Sequence, residues 1–421
     1  MKDPKALSQM EDVQNLRGTS AISSHFILAN QLTVALIVSA ISVFILYLRL
    51  PGLFSNPQFW AEDGTIFFEQ QMNIGHSAIF IPYAGYLHLV PRCVSALASL
   101  FSAAIAPTLY LAAAMLMAAW AALTLSLTRA SLAPVFALTL FVAPHSGEVF
   151  GTITNVQWIL STVIPVIVLT ESPKGYLSQL NQRAYILFSG LSGPFSALAC
   201  PLFLYRLFWR RDRHGLWVSL LGMSAGAVQL YMILKDHASS SETRAPLYVA
   251  IALLDRWFGM LAHGWRSDSH ITIALTVAFG ALVAVAALEG RDRRLAIGML
   301  LFCGAIMGAT WVKYMPGSMA NHFDLPVHGD RYLFAAKTYA IWILILGVTS
   351  LRPSMKVLSA AALVVIPFNY SSHGHDWWRR PPLEDKNWKE HARLVDEGIP
   401  TLIPINPAPW NVAIPGSMRQ Q

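Results

Sequence analysis

NPQFWAEDGTIFFEQQMNIGHSAIFIPYAGYLHLVPR, Asn56–Arg92, is the first long polar interruption in a chain that is otherwise mostly apolar. It follows the apolar segment Leu28–Leu48, closed by Arg49 and Pro51-Gly52. It carries two adjacent carboxylates, Glu62 and Asp63, between the aromatic pair Phe59 and Trp60 and the turn residue Gly64. Read as a water-facing loop between membrane segments, it makes the chain a multi-pass membrane protein.

Composition supports that reading. Only 13% of the 421 residues are charged and 55% are hydrophobic, whereas a soluble domain carries about 25% charged residues. The expected fold is all-α, a polytopic transmembrane helical bundle of about ten to twelve spans with surface helices in its long first outer loop, residues 50–86. Residues 1–28 read as a cytoplasmic, disordered tail with no cleaved signal peptide. Residues 29–370 form the membrane domain. Residues 371–421, polar and rich in Trp and Pro, form an outer-face segment, whose Pro-dense end Ile403–Gly416 reads either as an extended stretch over the mouth of the bundle or as a plain exposed tail. The net charge of +7 orients the chain in the bilayer and does not imply nucleic acid. Cys93, Cys200 and Cys303 sit in or beside apolar segments and serve as small packing groups.

Basic clusters fix the second half of the topology. Arg206–Arg213, Arg291–Arg294 and Arg352–Lys356 read as cytoplasmic, which places 235–270, 313–332 and 371–421 on the outer side. The first half admits two arrangements. If 87–106 spans and 184–208 is one helix, the loop His145–Trp158 is cytoplasmic. If 87–106 is a half-inserted helix and 184–208 breaks at Gly193-Pro194, that loop is outside. The charge rule favours the second, because it keeps Arg129, Lys174 and Arg183 inside. Irregular backbone at membrane depth is tolerated where it lines a cavity.

Four places concentrate groups that can carry chemistry. Glu62 or Asp63 can act as a general base, with Trp60 offering an aromatic face to a sugar or lipid. His88 and Arg92 open an apolar segment, where a charge is costly and needs an anionic partner or the interface. Glu148, Asn155, Gln157 and Trp158 share one short loop, in which Glu148 and Asn155 can meet sugar hydroxyls. Asp330, Arg331 and Tyr332 stand directly before a span, where the planar fork of arginine suits a phosphate. Asp324, His322 and His328 precede them, and two histidines six apart without a third ligand are a weak metal signal. The chain has no phosphate-cradling lysine loop, zinc-protease helix or nucleophile elbow, which disfavours nucleotide hydrolysis and serine chemistry.

In the order of these parts the chain resembles the GT-C superfamily of membrane glycosyltransferases. The likeness rests on Trp60–Gly64 in the first outer loop, Glu148–Trp158, the break at Gly193-Pro194, and Gly329–Tyr332. It is closest to bacterial members of the O-antigen or surface-polysaccharide type. The resemblance implies an inverting glycosyltransferase in the inner membrane, with the N-terminus cytoplasmic and the C-terminus periplasmic. Its partners would be a polyprenyl-phosphate sugar, a glycan acceptor and the lipid bilayer. It implies Asp63 or Glu62 as base or metal ligand; no cofactor is implied with certainty, and a divalent metal stays open. Many members carry a lysine at the break, which this chain lacks, so Arg331, Arg92 or another group must meet the phosphate. Trp60, His88, Glu148, Asn155, Trp158, Asp330 and Tyr332 would line the sugar or acceptor. A polysaccharide ligase or polymerase using a lipid diphosphate, and a lipid-linked glycan transporter, are the alternatives.

Overall fold

The computed structural model describes residues 30–237, 247–264, 269–312, 329–371 and 378–416. The N-terminal tail at 1–28 and the residues Asp324, His322 and His328 lie outside the described residues.

The chain is built of helices, with one short hairpin near the end of the described chain. Six helical stretches are long and apolar enough to cross a membrane among the described residues. At 1.5 Å per residue about 20 residues match a hydrocarbon core of about 30 Å. They are α1 (Asn30–Leu48), the stretch Ala103–Ser126 containing α4 (Ala106–Ser126), and Arg213–Lys235 within α11 (Arg213–His237). His270–Glu289 lies within α14 (Ser269–Glu289), α15 is Arg293–Val312, and Asp330–Val348 contains α16 (Phe334–Val348). This is the architecture of a multi-pass membrane protein. The expected ten to twelve spans reduce to six of full length, because the remaining apolar runs fold as shorter pieces.

Those pieces carry the site. In the first loop a π-helical turn at Asp63–Phe68 leads into α2 (Glu69–Ile74). The apolar run after it forms α3 (Leu89–Ala98), ten residues and too short to span. Leu132–Ala143 becomes α5 (Ala133–Thr139). The next run divides into α6 (Val156–Ser161) and α7 (Ile164–Leu169), every residue of both buried. At their junction buried hydroxyls reach the backbone: Tyr185 donates to the Leu160 carbonyl at 2.9 Å and Tyr339 to that of Thr162 at 2.9 Å.

Residues 184–208 do break. They form the end of α8 (Tyr176–Gly190), α9 (Phe195–Leu198) and α10 (Cys200–Trp209). The break has a structural partner in the N-terminus of α3. Leu89 N–H donates to the Leu191 carbonyl and Val90 N–H to Ser192 Oγ, both at 3.0 Å. Gln229 of α11 accepts from Leu87 N–H at 2.8 Å and donates to the Leu87 carbonyl at 3.1 Å. The orphan donors that open any helix are thus met by a neighbouring helix's interruption.

α12 (Leu247–Leu254) and α13 (Met260–His263) flank a π-helical turn at Asp255–Gly259. α16 sits at the centre of the bundle, with 78% of its span buried, packed by α14, α15 and α17 (Pro353–Ser371). The C-terminal segment folds more than its proline content suggests, into α18 (Trp388–Asp396) and a hairpin of β1 (Thr401–Pro404) and β2 (Asn411–Ile414). β1 and β2 run antiparallel, with Thr401 opposite Ile414. This segment packs on the first loop. Asn406 N–H donates to the Phe59 carbonyl, Thr65 Oγ1 to that of Asn411, and Ala413 N–H to Glu69 Oε2 at 2.7 Å. Trp388 inserts edge-on against Phe59 and Phe68. Gly64 is required by this contact, since a Cβ there would lie 2.7 Å from Ile405 Cδ1.

Candidate functional site

Three segments meet at one end of the bundle: the first loop, the loop 145–158 and the residues that open α16. Arg49, at the end of α1, fastens part of this assembly. Its buried guanidinium donates to the carbonyls of Phe141, Ala143 and His145, and its Nε donates to that of Trp378 at 2.7 Å. A planar group with five donors suits such a carbonyl-lined niche.

Asp63 joins the first two segments. Its carboxylate accepts from Ile153 N–H at 3.1 Å, from Thr154 N–H at 2.8 Å and from Thr154 Oγ1. It is buried, and the loss of water raises its pKa from the usual carboxylate range to about 7, against the pull of those donors. Its neighbour Glu62 is half-buried and accepts no hydrogen bond from a described residue. The adjacent acids therefore differ: Asp63 holds the loop at Ile153 and Thr154, and Glu62 makes no such contact with a described residue.

Glu62 lies within electrostatic range of Arg331 and Tyr83. Arg331 ion-pairs with Glu148 and feels the charge of Glu62. Burial pushes the Tyr83 phenol up to about 12, and the same phenol feels Glu62, Arg331 and Tyr332. Burial also raises Tyr86, which feels Tyr332 and Arg331 and accepts a long, 3.5 Å hydrogen bond from Gln157 Nε2. The contacts that bring the segments together are those of Asp63 with Ile153 and Thr154, and of Ser146 and Glu148 with Asp330 and Arg331. Arg331 Cζ stands 5.2 Å from the Tyr332 ring centre, within cation–π reach.

The other candidate residues occupy supporting places. Trp60 does not present a free pair of faces, because Arg380 Cζ lies 4.5 Å from its ring centre. His88 is buried and stacked on Tyr86 at 4.5 Å, so it packs the loop. Arg92 makes no ion pair with Glu62 or Asp63; it donates to the Ile81 carbonyl at 3.0 Å and lies over Phe67 at 4.9 Å. Asn155 is buried and donates to the Glu148 carbonyl at 3.1 Å, which sets the loop's shape. Trp158 is wedged edge-on between Phe195 and Tyr332, at 4.8 and 5.2 Å.

Asp330 is held by the protein itself. It is fully buried, accepting from Lys337 Nζ at 2.7 Å and Ser146 N–H at 2.7 Å, with Arg256 at 3.7 Å. His145 lies beside it as a neutral ring. Its Nδ1 accepts from Gly147 N–H and its Nε2 donates to the Asp330 carbonyl, each at 3.0 Å. Burial pulls its pKa down to about 4, outweighing the carboxylate 3.6 Å away. The network ties the second loop to the start of α16 and so sets where Arg331 emerges.

Sequence reasoning missed Arg380, Tyr83, Tyr86 and Thr154. Arg380 is buried beside Gly147, donates to the Phe150 carbonyl at 2.6 Å, and has an Nη2 without a hydrogen-bond partner. Its pKa is lowered to about 10, chiefly by burial, with Asp63 and Glu148 opposing. A single arginine in a Trp- and Pro-rich tail carried no spacing signal. The Tyr83 and Tyr86 pair, flanking Ala84-Gly85, was visible but read as loop.

Among the described residues no group of three or more His, Cys, Asp and Glu side chains is placed to hold a metal ion. The chain matches no family model, no curated protein and no solved structure.

Proposed function

We propose that the chain is a membrane glycosyltransferase of the GT-C kind, moving a sugar from a polyprenyl-phosphate carrier to a glycan or lipid-glycan acceptor at the outer face of the inner membrane. The observation that carries this reading is the joining of the first loop, the loop 145–158 and the start of α16 at one end of an apolar bundle, through Asp63 with Thr154, Ser146 with Asp330 and Glu148 with Arg331.

In this reading Glu62 takes the proton of the acceptor hydroxyl while its oxygen attacks the anomeric carbon. The bond from that carbon to the carrier's phosphate breaks, inverting the centre. The phosphate leaves as an anion, so the useful group is a fixed cation beside its oxygens. Arg331 fills that role, and the incoming phosphate replaces Glu148 as its partner. Asp63 acts through the backbone it holds and is a positioning residue. The tyrosines offer ring faces and hydroxyls to a sugar.

The test is transfer from a polyprenyl-phosphate sugar in membranes carrying Glu62→Gln or Arg331→Gln. Each is expected to lower turnover by about 10²- to 10³-fold at normal protein levels. Wild-type turnover in both would remove the basis for the proposal.

A further inference from the structure

A groove of about 740 Å³ lies between α10 and α15, away from the candidate site. Its walls are apolar, from Leu198, Leu202, Ile297, Leu301 and Ala305, and one end is bounded by Arg293, Arg294 and Tyr205. From Arg293 to Ala305 the helix climbs about 18 Å, close to the depth of one leaflet, half of about 30 Å.

The charged end is not neutralised by a carboxylate among the described residues. Arg293 and Arg294 are exposed, and neither is ion-paired to a carboxylate among the described residues. Nearby acids are engaged elsewhere: Glu289 with Arg352, Asp292 with Ser131, and Glu171 with Arg210 and Arg129. Arg294 is instead held with its Cζ 3.8 Å from the Trp209 ring centre. Cations at an interface, one braced on an indole, above an apolar trough one leaflet deep complement a lipid with an acidic head.

We propose that this groove binds an anionic phospholipid, its acyl chains along α10 and α15 and its phosphate between Arg293 and Arg294. It is separate from the donor site in position. Gly290, just before these arginines, lies against Leu346 near the end of α16, so Arg331, at the start of that helix, stands a helix length of about 20 Å away. The occupant therefore belongs to the opposite leaflet from a donor whose phosphate meets Arg331. Basic pockets between membrane helices commonly take such headgroups.

The test is native mass spectrometry of the detergent-purified full chain with added phosphatidylglycerol or phosphatidylcholine of the same acyl chains. The wild type is expected to retain phosphatidylglycerol about tenfold better, and Arg293→Gln with Arg294→Gln is expected to lose about fivefold per arginine. Ala305→Phe, which fills the trough, should reduce retention of both lipids. Equal retention of the two lipids by the wild type would overturn the proposal. So would an unchanged preference in the double variant, or displacement of bound phosphatidylglycerol by equimolar polyprenyl phosphate.

Discussion

Replacing Asp63 by Ala tests whether that residue is a fastener. The side chain is buried, and its loss strands two backbone donors, Ile153 N–H and Thr154 N–H, now at 3.1 and 2.8 Å from its oxygens. The Thr154 hydroxyl can rotate to another acceptor, so it is left out of the sum. Each stranded buried donor costs about 1–3 kcal/mol, which gives roughly 2–6 kcal/mol in all. The comparison variant is Glu62→Ala, which removes no hydrogen bond to a described residue and is expected to change stability by about 0.5 kcal/mol or less. The assay is thermal unfolding of both variants in the same detergent at pH 5.5. There the Asp63 carboxyl is mostly neutral, so loss of a charge does not offset the stranded donors. Asp63→Ala should melt well below Glu62→Ala. Equal melting of the two would refute the division of labour between the adjacent acids.

Three further outcomes follow from the same geometry. Because the folded pKa of Asp63 is raised to about 7 from 3.8, its contribution is fully present below about pH 4 and is lost as pH rises through 7. The stability difference between wild type and Asp63→Asn, followed in unfolding scans from pH 4 to 8, should shrink by about 1.4 kcal/mol per pH unit between the two pKa values and level off above about pH 7. Gly193→Ala would put a Cβ 2.3 Å from Gln157 Oε1; displacing that amide should cost about 1–3 kcal/mol and weaken donor binding, seen as a raised KM. Lys337→Met leaves Asp330 buried beside Arg256 with its closest partner gone, and should destabilise by about 3–5 kcal/mol, partly recovered by adding Asp330→Asn in a double-mutant cycle.

Much of this was legible in the sequence because the relevant signals are local. A scarcity of charge marks a membrane bundle, and a Gly-Pro pair inside an apolar run marks a break. The acidic, aromatic first loop stood out as the first long polar stretch. Hydropathy does not separate a full-length helix from a buried pair such as α6 and α7, whose carbonyls at Leu160 and Thr162 accept from Tyr185 and Tyr339. Which of Glu62 and Asp63 is free was illegible, since it depends on donors about 90 residues away in sequence. Asp330 looked like a ligand for the same reason: its partners come from α16, the second loop and the turn at Asp255–Gly259. Arg380 lies in a tail whose fold is set by its docking on the first loop, a contact that no periodicity announces.

The most direct measurement is single-turnover sugar transfer from a polyprenyl-phosphate donor by purified Glu62→Gln, at a protein concentration above that of the donor. The account predicts that this variant melts like the wild type and still binds donor, yet transfers at least about 10²-fold more slowly. Transfer at the wild-type rate by folded Glu62→Gln would contradict the assignment of the base, and with it the proposed chemistry.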